Sequence, residues 1–265
     1  MTTDNPSPAP RVAIGQWRNK EINGTALMRL LVSYSQWMIP VSESALGEIL
    51  REGSASRLLF SKDAAGTTRF FIFSDDEAYK RFSESSGDPL KQHFLTTKGT
   101  WVFRLPIDEI DFVAIDATSP HEIAYGKELF PRLKQMANAI EVEEALLELR
   151  TSDTPGKGLI PLVRDYQGYN IAILKTGEAS QLGLAPDDKG RVLLAVFTHD
   201  DGFDAYSAES KRLRPESEVM QMNLPGASLF DQITKIKIDG VVFNCCGPAR
   251  PVAFAQQFAQ VIINA

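Results

Sequence analysis

The sequence has few cysteines and few histidines. Its 265 residues include two cysteines, Cys245 and Cys246, which are adjacent, and three histidines in separate regions. Adjacent cysteines cannot join distant parts of the chain, and a disulfide between neighbours is strained. The pair also lacks the spacing of a zinc site. We therefore expect no disulfide framework and no bound metal, as is typical of a reduced, cytoplasmic protein.

Long apolar runs and an excess of positive charge are also missing. No apolar stretch approaches the length of a membrane span. The first ten residues are polar and proline-rich, without the basic and apolar regions of a signal peptide. We expect residues 1–22 to form a disordered or extended lead-in. The formal net charge of -6 argues against nucleic acid and against an anionic membrane as partners. No Walker-type or dinucleotide-binding glycine pattern is present, so no cofactor is predicted.

What the sequence does contain is an internal repeat. Ile238–Arg250 aligns without a gap to Ile110–Glu122 at an offset of 128 (238 − 110). Two further matches are Phe73–Asp76 with Phe197–Asp200 at an offset of 124 (197 − 73), and Ile39–Val41 with Ile160–Leu162 at an offset of 121 (160 − 39). The repeat predicts one fold used twice. We place the first copy at residues 23–141 and the second at 142–265.

Hydrophobic periodicity predicts the elements of each copy. In the first copy it predicts helices at Ala26–Trp37, Ser74–Phe82, Asp88–Phe94 and from Pro120 to about Asn138, and strands at Met38–Val41, Arg57–Phe60, Arg69–Phe73, Thr100–Leu105 and Phe112–Asp116. In the second it predicts helices at Val142–Leu149, Asp200–Ser207, Ala227–Ile236 and Val252–Ile263, and strands at Gly158–Val163, Tyr169–Leu174, Val192–Val196, Val219–Leu224 and Val241–Asn244. The predicted fold class is α/β (α+β mixed), with two tandem copies of a mixed sheet that has helices packed on its faces.

One mismatch between the copies needs an explanation. The second copy has a helix between Leu224 and Ile238, where the first has only Pro106–Glu109. Either the first copy lacks this helix, or the strand predicted at Thr100–Leu105 is wrong.

Two strand ends carry a family resemblance. Val192–Asp201 reads VLLAVFTHDD, and Ile238–Pro248 reads IDGVVFNCCGP. These stretches resemble the N-terminal domain of the bacterial SseB family, named for enhanced serine sensitivity. That family has an FTS strand end and a later strand end of glycine, two hydrophobic residues, asparagine and proline. Thr198 and Asn244 stand at the matching places, whereas His199 replaces the usual small residue and Cys245-Cys246 replaces the proline. The resemblance covers most of residues 26–265 and implies a cytoplasmic α/β protein with no catalytic residues to carry over.

The same strand ends contain the candidate ligand-binding residues. In open α/β sheets, ligands bind beyond the carboxyl ends of parallel strands. If the two strands are neighbours, the residues that follow them share one crevice: Thr198, His199, Asp200, Asn244, Cys245, Cys246 and Arg250. A cysteine beside a histidine can act as nucleophile and base. A purely structural interpretation competes with this one, because Thr198 and Asp200 are good helix caps and Asn244 can satisfy turn backbone groups. No catalytic residue is assigned.

Two functional hypotheses follow. The first is a non-enzymatic cytoplasmic binding or regulatory protein of SseB-like type that presents a groove or face to a protein partner, with homo-oligomer formation left open. The alternative is a small-molecule binder or an enzyme that uses the strand-end crevice of the second copy, around His199, Asn244 and Cys245. A ligand site predicts a deep pocket in the second copy alone, whereas a scaffold predicts an exposed apolar patch.

Overall fold

The computed structural model describes residues 9–41, 60–86, 93–105, 109–187 and 189–265. The chain divides into two compact units, Met1–Ala137 and Asn138–Ala265. Both contain helices together with sheets of parallel and antiparallel strands. The predicted α/β class is confirmed.

The first described element of unit 1 is a helix that the sequence did not indicate. Its helices are α1 (Pro10–Arg18), α2 (Gly24–Ser33), α3 (Asp76–Ser86) and α4 (Gly99–Val102), and its strands are β1 (Trp37–Val41), β2 (Phe60–Lys62), β3 (Thr68–Ile72), β4 (His93–Thr97), β5 (Phe112–Ile115) and β6 (Ile123–Gly126). Helix α1 lies inside the stretch that we expected to be a lead-in, and it buries Ala13 and Ile14. The long helix α5 (Phe130–Thr151) follows a short 3-10 turn and runs across the boundary between the units.

Unit 2 is built around a seven-stranded sheet. Its remaining helices are α6 (Leu159–Asp165), α7 (Asp200–Leu213), α8 (Gly226–Lys235) and α9 (Gln257–Asn264), and its strands are β7 (Tyr169–Thr176), β8 (Ala179–Leu182), β9 (Leu184–Pro186), β10 (Val192–Phe197), β11 (Glu218–Leu224), β12 (Gly240–Phe243) and β13 (Val252–Ala255). The main strand order is β11-β7-β10-β12-β13, while β8 pairs with β7 and β9 pairs with β10. Among the described strands of unit 2, β10 and β12 pair in parallel and the other pairs are antiparallel.

The two units share a strand order. In unit 1, β2-β3-β5-β6 form one sheet and β1-β4 another, and an antiparallel bridge between Met38 and Phe73 joins β1 to the end of β3. The order β4-β1-β3-β5-β6 therefore matches β11-β7-β10-β12-β13. As in unit 2, the central pair, β3 and β5, is parallel.

The start of the repeat has a different register from the one we predicted. Trp37 donates its indole N–H to the carbonyl of Leu31 (2.9 Å), and Tyr169 donates its hydroxyl to the carbonyl of Val163 (3.0 Å). These corresponding pairs give an offset of 132 (169 − 37). The predicted match of Ile39–Val41 to Ile160–Leu162 is wrong, because Ile160–Leu162 lies in helix α6 and not in a strand.

Some short apolar segments are helices where we predicted strands. The strand predicted at Thr100–Leu105 overlaps helix α4, and the one predicted at Gly158–Val163 overlaps helix α6. Periodicity cannot separate a strand from a buried helical turn in a run this short. Helix α4 also resolves the mismatch between the copies: the first copy has the helix, and the strand prediction was wrong.

Two predicted helices begin later than expected. The chain forms β6 and β13 first, and helices α5 and α9 follow them. Pro131 lies in the first turn of α5, where a missing backbone N–H is tolerated, so it does not break the helix. Of the other predictions, residues 57–59 and 88–92 lie outside the described ranges, while His93 and Phe94, predicted to end a helix, begin strand β4. Within the described ranges, no helix has both the length and the apolar character needed to cross a membrane.

Candidate binding groove and strand-end networks

The parallel pairing of β10 with β12 brings Thr198 and Asn244 together. The side-chain Oδ1 of Asn244 accepts the backbone N–H of Thr198 (3.0 Å), and its Nδ2 donates to Thr198 Oγ1 (3.0 Å). Thr198 Oγ1 in turn donates to Glu143 Oε1 (2.6 Å). Thr198 and Asn244 are both buried, and Asn244 has a left-handed backbone with φ of 53°. Their hydrogen bonds are made within the protein.

Unit 1 has the same arrangement at its own strand ends. Asp116 has φ of 49° and accepts both the backbone N–H and the hydroxyl of Ser74, each at 2.7 Å. A tyrosine hydroxyl completes each network. Tyr34 donates to the Ser74 carbonyl at 2.9 Å, and Tyr166 donates to the Thr198 carbonyl at 2.5 Å. A network present in both units favours the structural interpretation of Thr198 and Asn244.

His199 and Asp200 begin helix α7 and also bond internally. His199 is 4% exposed, and its Nδ1 accepts the backbone N–H of Asp201 at 3.4 Å, which makes it the N-cap of the helix. Asp200, which we predicted as a cap, instead accepts the side-chain amides of Asn170 (3.1 Å) and Gln221 (2.8 Å). Through Asn170 and Gln221, Asp200 ties the start of α7 to strands β7 and β11.

The two cysteines lie on the wall of a groove. Burial, reinforced by the neighbouring Cys246, raises the pKa of the Cys245 thiol to about 12. A thiol with so high a pKa is a poor nucleophile at neutral pH. Among the described residues, no hydrogen bond or ion pair joins His199 to either cysteine, and the exposed Arg250 does not line the groove. The lining of the groove includes the two cysteines but none of the other five predicted residues.

The groove that the cysteines line belongs to unit 2. It has a volume of about 520 Å³ and lies between helix α7 and strands β8 and β9. Its apolar lining comes from Leu174, Leu182, Leu184, Ala185, Pro186, Tyr206, Leu213, Cys245 and Cys246, and its polar lining from Gln181, Glu209, Ser210 and Arg214. Leu213, at the end of α7, is 64% exposed. A volume of this size, with a mostly apolar lining and few polar groups, is characteristic of binding sites.

The groove exists because the sheet splits at Gly183. Strand β8 runs antiparallel to β7 as far as Gly183, and the chain then reverses into β9, which runs antiparallel to β10. Gly183 donates to the Ala172 carbonyl (2.7 Å) and accepts from the Ala195 N–H (3.0 Å), so it bridges the two outer strands. A Cβ atom at this position would lie 2.6 Å from that of Ala172. Strands β8 and β9 thus form the two arms of a V with glycine at its apex.

The inner edge of the β8 arm has unused backbone groups. Because Gly183 bonds to Ala172, the alternation of an antiparallel ladder makes Gln181 and Ala179 the next residues that bond to β7. Ser180 and Leu182 therefore direct their N–H and C=O groups into the V. In the described part of the chain, no residue pairs with these groups. The β9 arm is less open, because Pro186 has no N–H and the Leu184 carbonyl accepts the Tyr206 hydroxyl (3.2 Å).

The groove residues, apart from the two cysteines, were missed in the sequence, because no element was predicted between the strands at Tyr169–Leu174 and Val192–Val196. The signal was a glycine between two leucines in the stretch Ser180–Pro186. A glycine inside a strand pattern often marks a bulge or a close backbone approach. The distances at Gly183 show such an approach.

A smaller pocket lies at the strand ends of unit 1. It has a volume of about 70 Å³ and a polar lining that includes Arg11, Asp75, Arg81 and His121 beside Ser74 and Asp116. Burial raises the pKa of Asp116, and the hydrogen bonds from Ser74 oppose this shift. Among the described residues, no group of three or more histidine, cysteine, aspartate or glutamate side chains is placed to hold a metal ion.

Comparison with known proteins gives few matches. No protein-family model matches the sequence, and no curated protein matches it. Among solved structures, the chain is similar to Anabaena Tic22, described as a protein-transport protein, with 8% identity, a TM-score of 0.21 and coverage of 80% of this chain and 87% of that chain. It is also similar to Tic22 from Plasmodium falciparum, with 7% identity, a TM-score of 0.17 and coverage of 74% and 82%. TM-scores this low support no argument about this protein, and the resemblance to SseB stays a prediction.

Proposed function

We propose that the protein is a non-enzymatic binding protein whose second unit holds an extended segment of a protein partner in the groove between α7 and the β8–β9 arms. One observation carries the proposal: Leu182 lines a groove with a mostly apolar lining, and the N–H and C=O groups of Leu182 and of the nearby Ser180 have no partner among the described residues. An extended peptide satisfies both features at once, because its backbone pairs with a strand edge and alternate side chains enter pockets.

The charged residues at the rim of the groove favour a partner segment with an acidic residue. Glu209 is paired with Arg212, with nitrogen–oxygen distances of 2.9 and 2.6 Å. Arg214 also lines the groove and forms no ion pair with any described residue. A guanidinium with no counter-charge at the edge of an apolar groove favours an acidic residue next to the apolar part of the bound segment.

A pair of substitutions at the groove tests the site. We would measure, by fluorescence anisotropy, the binding of labelled octapeptides that alternate threonine with leucine or valine and end in aspartate. Ser210→Trp fills the groove from helix α7, whereas Ala208→Trp adds the same side chain at an exposed position that does not line it. We expect Ser210→Trp to weaken binding by about tenfold or more, equivalent to about 1.4 kcal/mol, and Ala208→Trp to leave it unchanged.

A second pair tests the backbone pairing. Ser180→Pro removes an N–H that points away from β7, so the β7–β8 ladder stays intact. Ser180→Ala keeps that N–H and serves as the matched control. We expect only the proline variant to lose affinity. If no peptide of the set binds the wild-type protein, or if both Ser180 variants bind equally well, an extended segment is not the occupant.

The small-molecule or enzymatic alternative has less support. His199 and Asn244 form their hydrogen bonds within the protein, and the pKa of Cys245 is raised. A thermal-shift screen against amino acids, nucleotides and common metabolites tests it, because a ligand of the folded state raises the melting temperature. A shift that His199→Ala abolishes would favour this alternative.

We also propose that the protein is cytoplasmic and of SseB-like type. Cys245 and Cys246 are free thiols, in keeping with a reducing compartment. The strand-end threonine and asparagine on which the resemblance rests are hydrogen-bonded partners at adjacent strand ends. Mass-spectrometric detection of a Cys245–Cys246 disulfide in protein isolated from its own cell without reductant would contradict the cytoplasmic assignment.

A further inference from the structure

Strand β11 ends the sheet of unit 2. It pairs along its whole length with β7, from Glu218 opposite Lys175 to Leu224 opposite Tyr169. In the described part of the chain, no strand pairs with its other edge. A seven-residue edge of this kind is long, and proteins usually protect such edges with charge, proline or a covering segment.

The hydrogen-bonding phase of β11 follows from that of β7. Ala172 directs its carbonyl to Gly183, on the β8 side of β7. Alternate residues of β7 point the opposite way, so Ile171 and Ile173 bond to β11 through their partners Met222 and Met220. The intervening residues of β11 are Val219, Gln221 and Asn223, and their N–H and C=O groups face outward.

Strand β11 also exposes two large apolar side chains on one of its faces. Met220 is 45% exposed and Met222 is 42% exposed, although both lie in a strand that is paired on one side. Glu218 is the one charged residue of the strand, and it stands at its first position. Exposed large apolar residues on an unprotected edge mark an association surface.

The sequence of β11 is complementary to itself in one antiparallel register. A two-fold axis at Gln221 pairs Gln221 with its own copy and Val219 with Asn223 of the second chain. These are the residues whose backbone groups face outward, and three mutually bonded pairs exchange about six hydrogen bonds. The same register places Met220 against Met222 at the positions where antiparallel side chains are closest.

The charges fit this register as well. Glu218 falls opposite Leu224 of the second chain, so the register brings no like charges into opposition. The contact is isologous, because each chain presents the same patch to the other, and such contacts close as dimers. We propose that the protein forms a homodimer in which the two β11 strands pair antiparallel about Gln221 and join the unit 2 sheets into one.

A charge-pattern experiment tests both the dimer and its register. Met220→Lys with Met222→Lys places lysine opposite lysine twice, whereas Met220→Glu with Met222→Lys places glutamate opposite lysine twice. Both double variants replace the same two exposed methionines by charged residues, so they differ chiefly in the sign of one charge. Neither substitution touches the groove, so the result is independent of the proposed peptide binding.

We would measure self-association by sedimentation equilibrium from low to high micromolar concentration, since a single-strand contact lies at the small end of protein interfaces. The wild-type protein and the glutamate–lysine variant are expected to dimerise, and the lysine–lysine variant to associate about tenfold more weakly or not at all. Circular dichroism melting checks that both variants are folded.

A readout on the wild-type protein keeps the proposal falsifiable if a variant fails to fold. Amide hydrogen exchange at Val219, Gln221 and Asn223 should slow as the protein concentration rises, because these N–H groups become bonded only in the dimer. A wild-type protein that stays monomeric throughout, equal association of the two double variants, or exchange at these amides that is independent of concentration would each overturn the proposal.

Discussion

Asp116 and Asn244 occupy the same place in their two units. Both have a left-handed backbone, with φ of 49° and 53°, and both accept the N–H of a residue just beyond the end of the neighbouring parallel strand. That residue is Ser74 in unit 1 (2.7 Å) and Thr198 in unit 2 (3.0 Å). One unit thus closes its strand ends with a carboxylate and the other with an amide. Stability should respond to pH differently at the two places.

Asp116→Asn should stabilise unit 1 at neutral pH. Burial raises the pKa of Asp116 above its ordinary value of 3.8. The folded state therefore holds this proton more tightly than the unfolded state, so stability is fully present below 3.8 and is lost as the pH rises through the folded-state pKa. Asparagine does not titrate, and Asn244 shows that it fits this backbone. We expect the advantage of the variant to grow from acid to neutral pH.

Tryptophan fluorescence isolates this effect. All three tryptophans, Trp17, Trp37 and Trp101, lie in unit 1. Urea unfolding followed by their emission therefore reports on the unit that contains Asp116. A difference between variant and wild type that stays constant with pH would contradict the raised pKa.

Asn244→Ala should destabilise unit 2 by about 3 kcal/mol, because it leaves the buried Thr198 N–H without an acceptor and puts a Cβ residue without a polar side chain into left-handed backbone. Asn244→Gly loses the same acceptor but tolerates the positive φ, so it should lose less. Amide hydrogen exchange in β10 and β12 measures both losses. Equal losses would show that the backbone conformation contributes nothing, and no loss in either variant would remove the role of the Thr198 bond.

Gly226→Ala should also destabilise unit 2. A Cβ at Gly226 would lie 2.4 Å from the Arg164 carbonyl oxygen and 2.8 Å from that of Val163. Backbone atoms cannot yield as a side chain does, so we expect a loss of about 2 kcal/mol or more. Gly24, at the start of helix α2, has open space around it, and a Cβ there would meet no atom within 4 Å. Gly24→Ala is therefore the matched control, with an expected change below about 1 kcal/mol in thermal or urea unfolding.

Cys245 should react slowly with iodoacetamide at neutral pH. Its pKa is raised to about 12 from an ordinary value of 9.0, mainly by burial. Because the thiolate is the reactive form, alkylation should be slower than for free cysteine on the order of a hundredfold or more. Mass spectrometry of the peptide that contains the residue follows the reaction. Rapid modification would instead favour the hypothesis of a cysteine nucleophile near His199.

Much of the fold was predictable because its signals are local. The strands at Arg69–Phe73, Phe112–Asp116, Val192–Val196 and Val219–Leu224 were found to within a residue or two at each end. Capping is local as well: Asn23, just before helix α2, accepts the N–H of Ala26 at 2.8 Å. The errors fell on short apolar runs such as Gly158–Val163, which fit a strand or a buried helix equally well until their neighbours are known.

The candidate site was predictable only in part. The sequence paired Thr198 with Asn244 because both follow apolar strands, and the parallel register of β10 and β12 makes them neighbours. The same reasoning grouped His199 and Arg250 with the cysteines, but nothing local says which way a side chain leaves a turn. The groove depends on β7 and β10 separating at Gly183, and that separation depends on which strands pair.

By itself, the sequence determined the doubled plan. The repeat aligns Asp111 with Asp239 and Asp116 with Asn244, and the aligned residues accept equivalent backbone N–H groups in the two units. Asp111 and Asp239 each accept the N–H that opens the neighbouring strand, from Thr68 and Val192 at 2.8 and 2.7 Å. Only the tertiary structure decided where the sheet opens and where it ends. The V at Gly183 and the edge of β11, which no described strand covers, are outcomes of pairing between distant strands. That pairing is set by long-range packing and hydrogen bonding that no short stretch of sequence encodes.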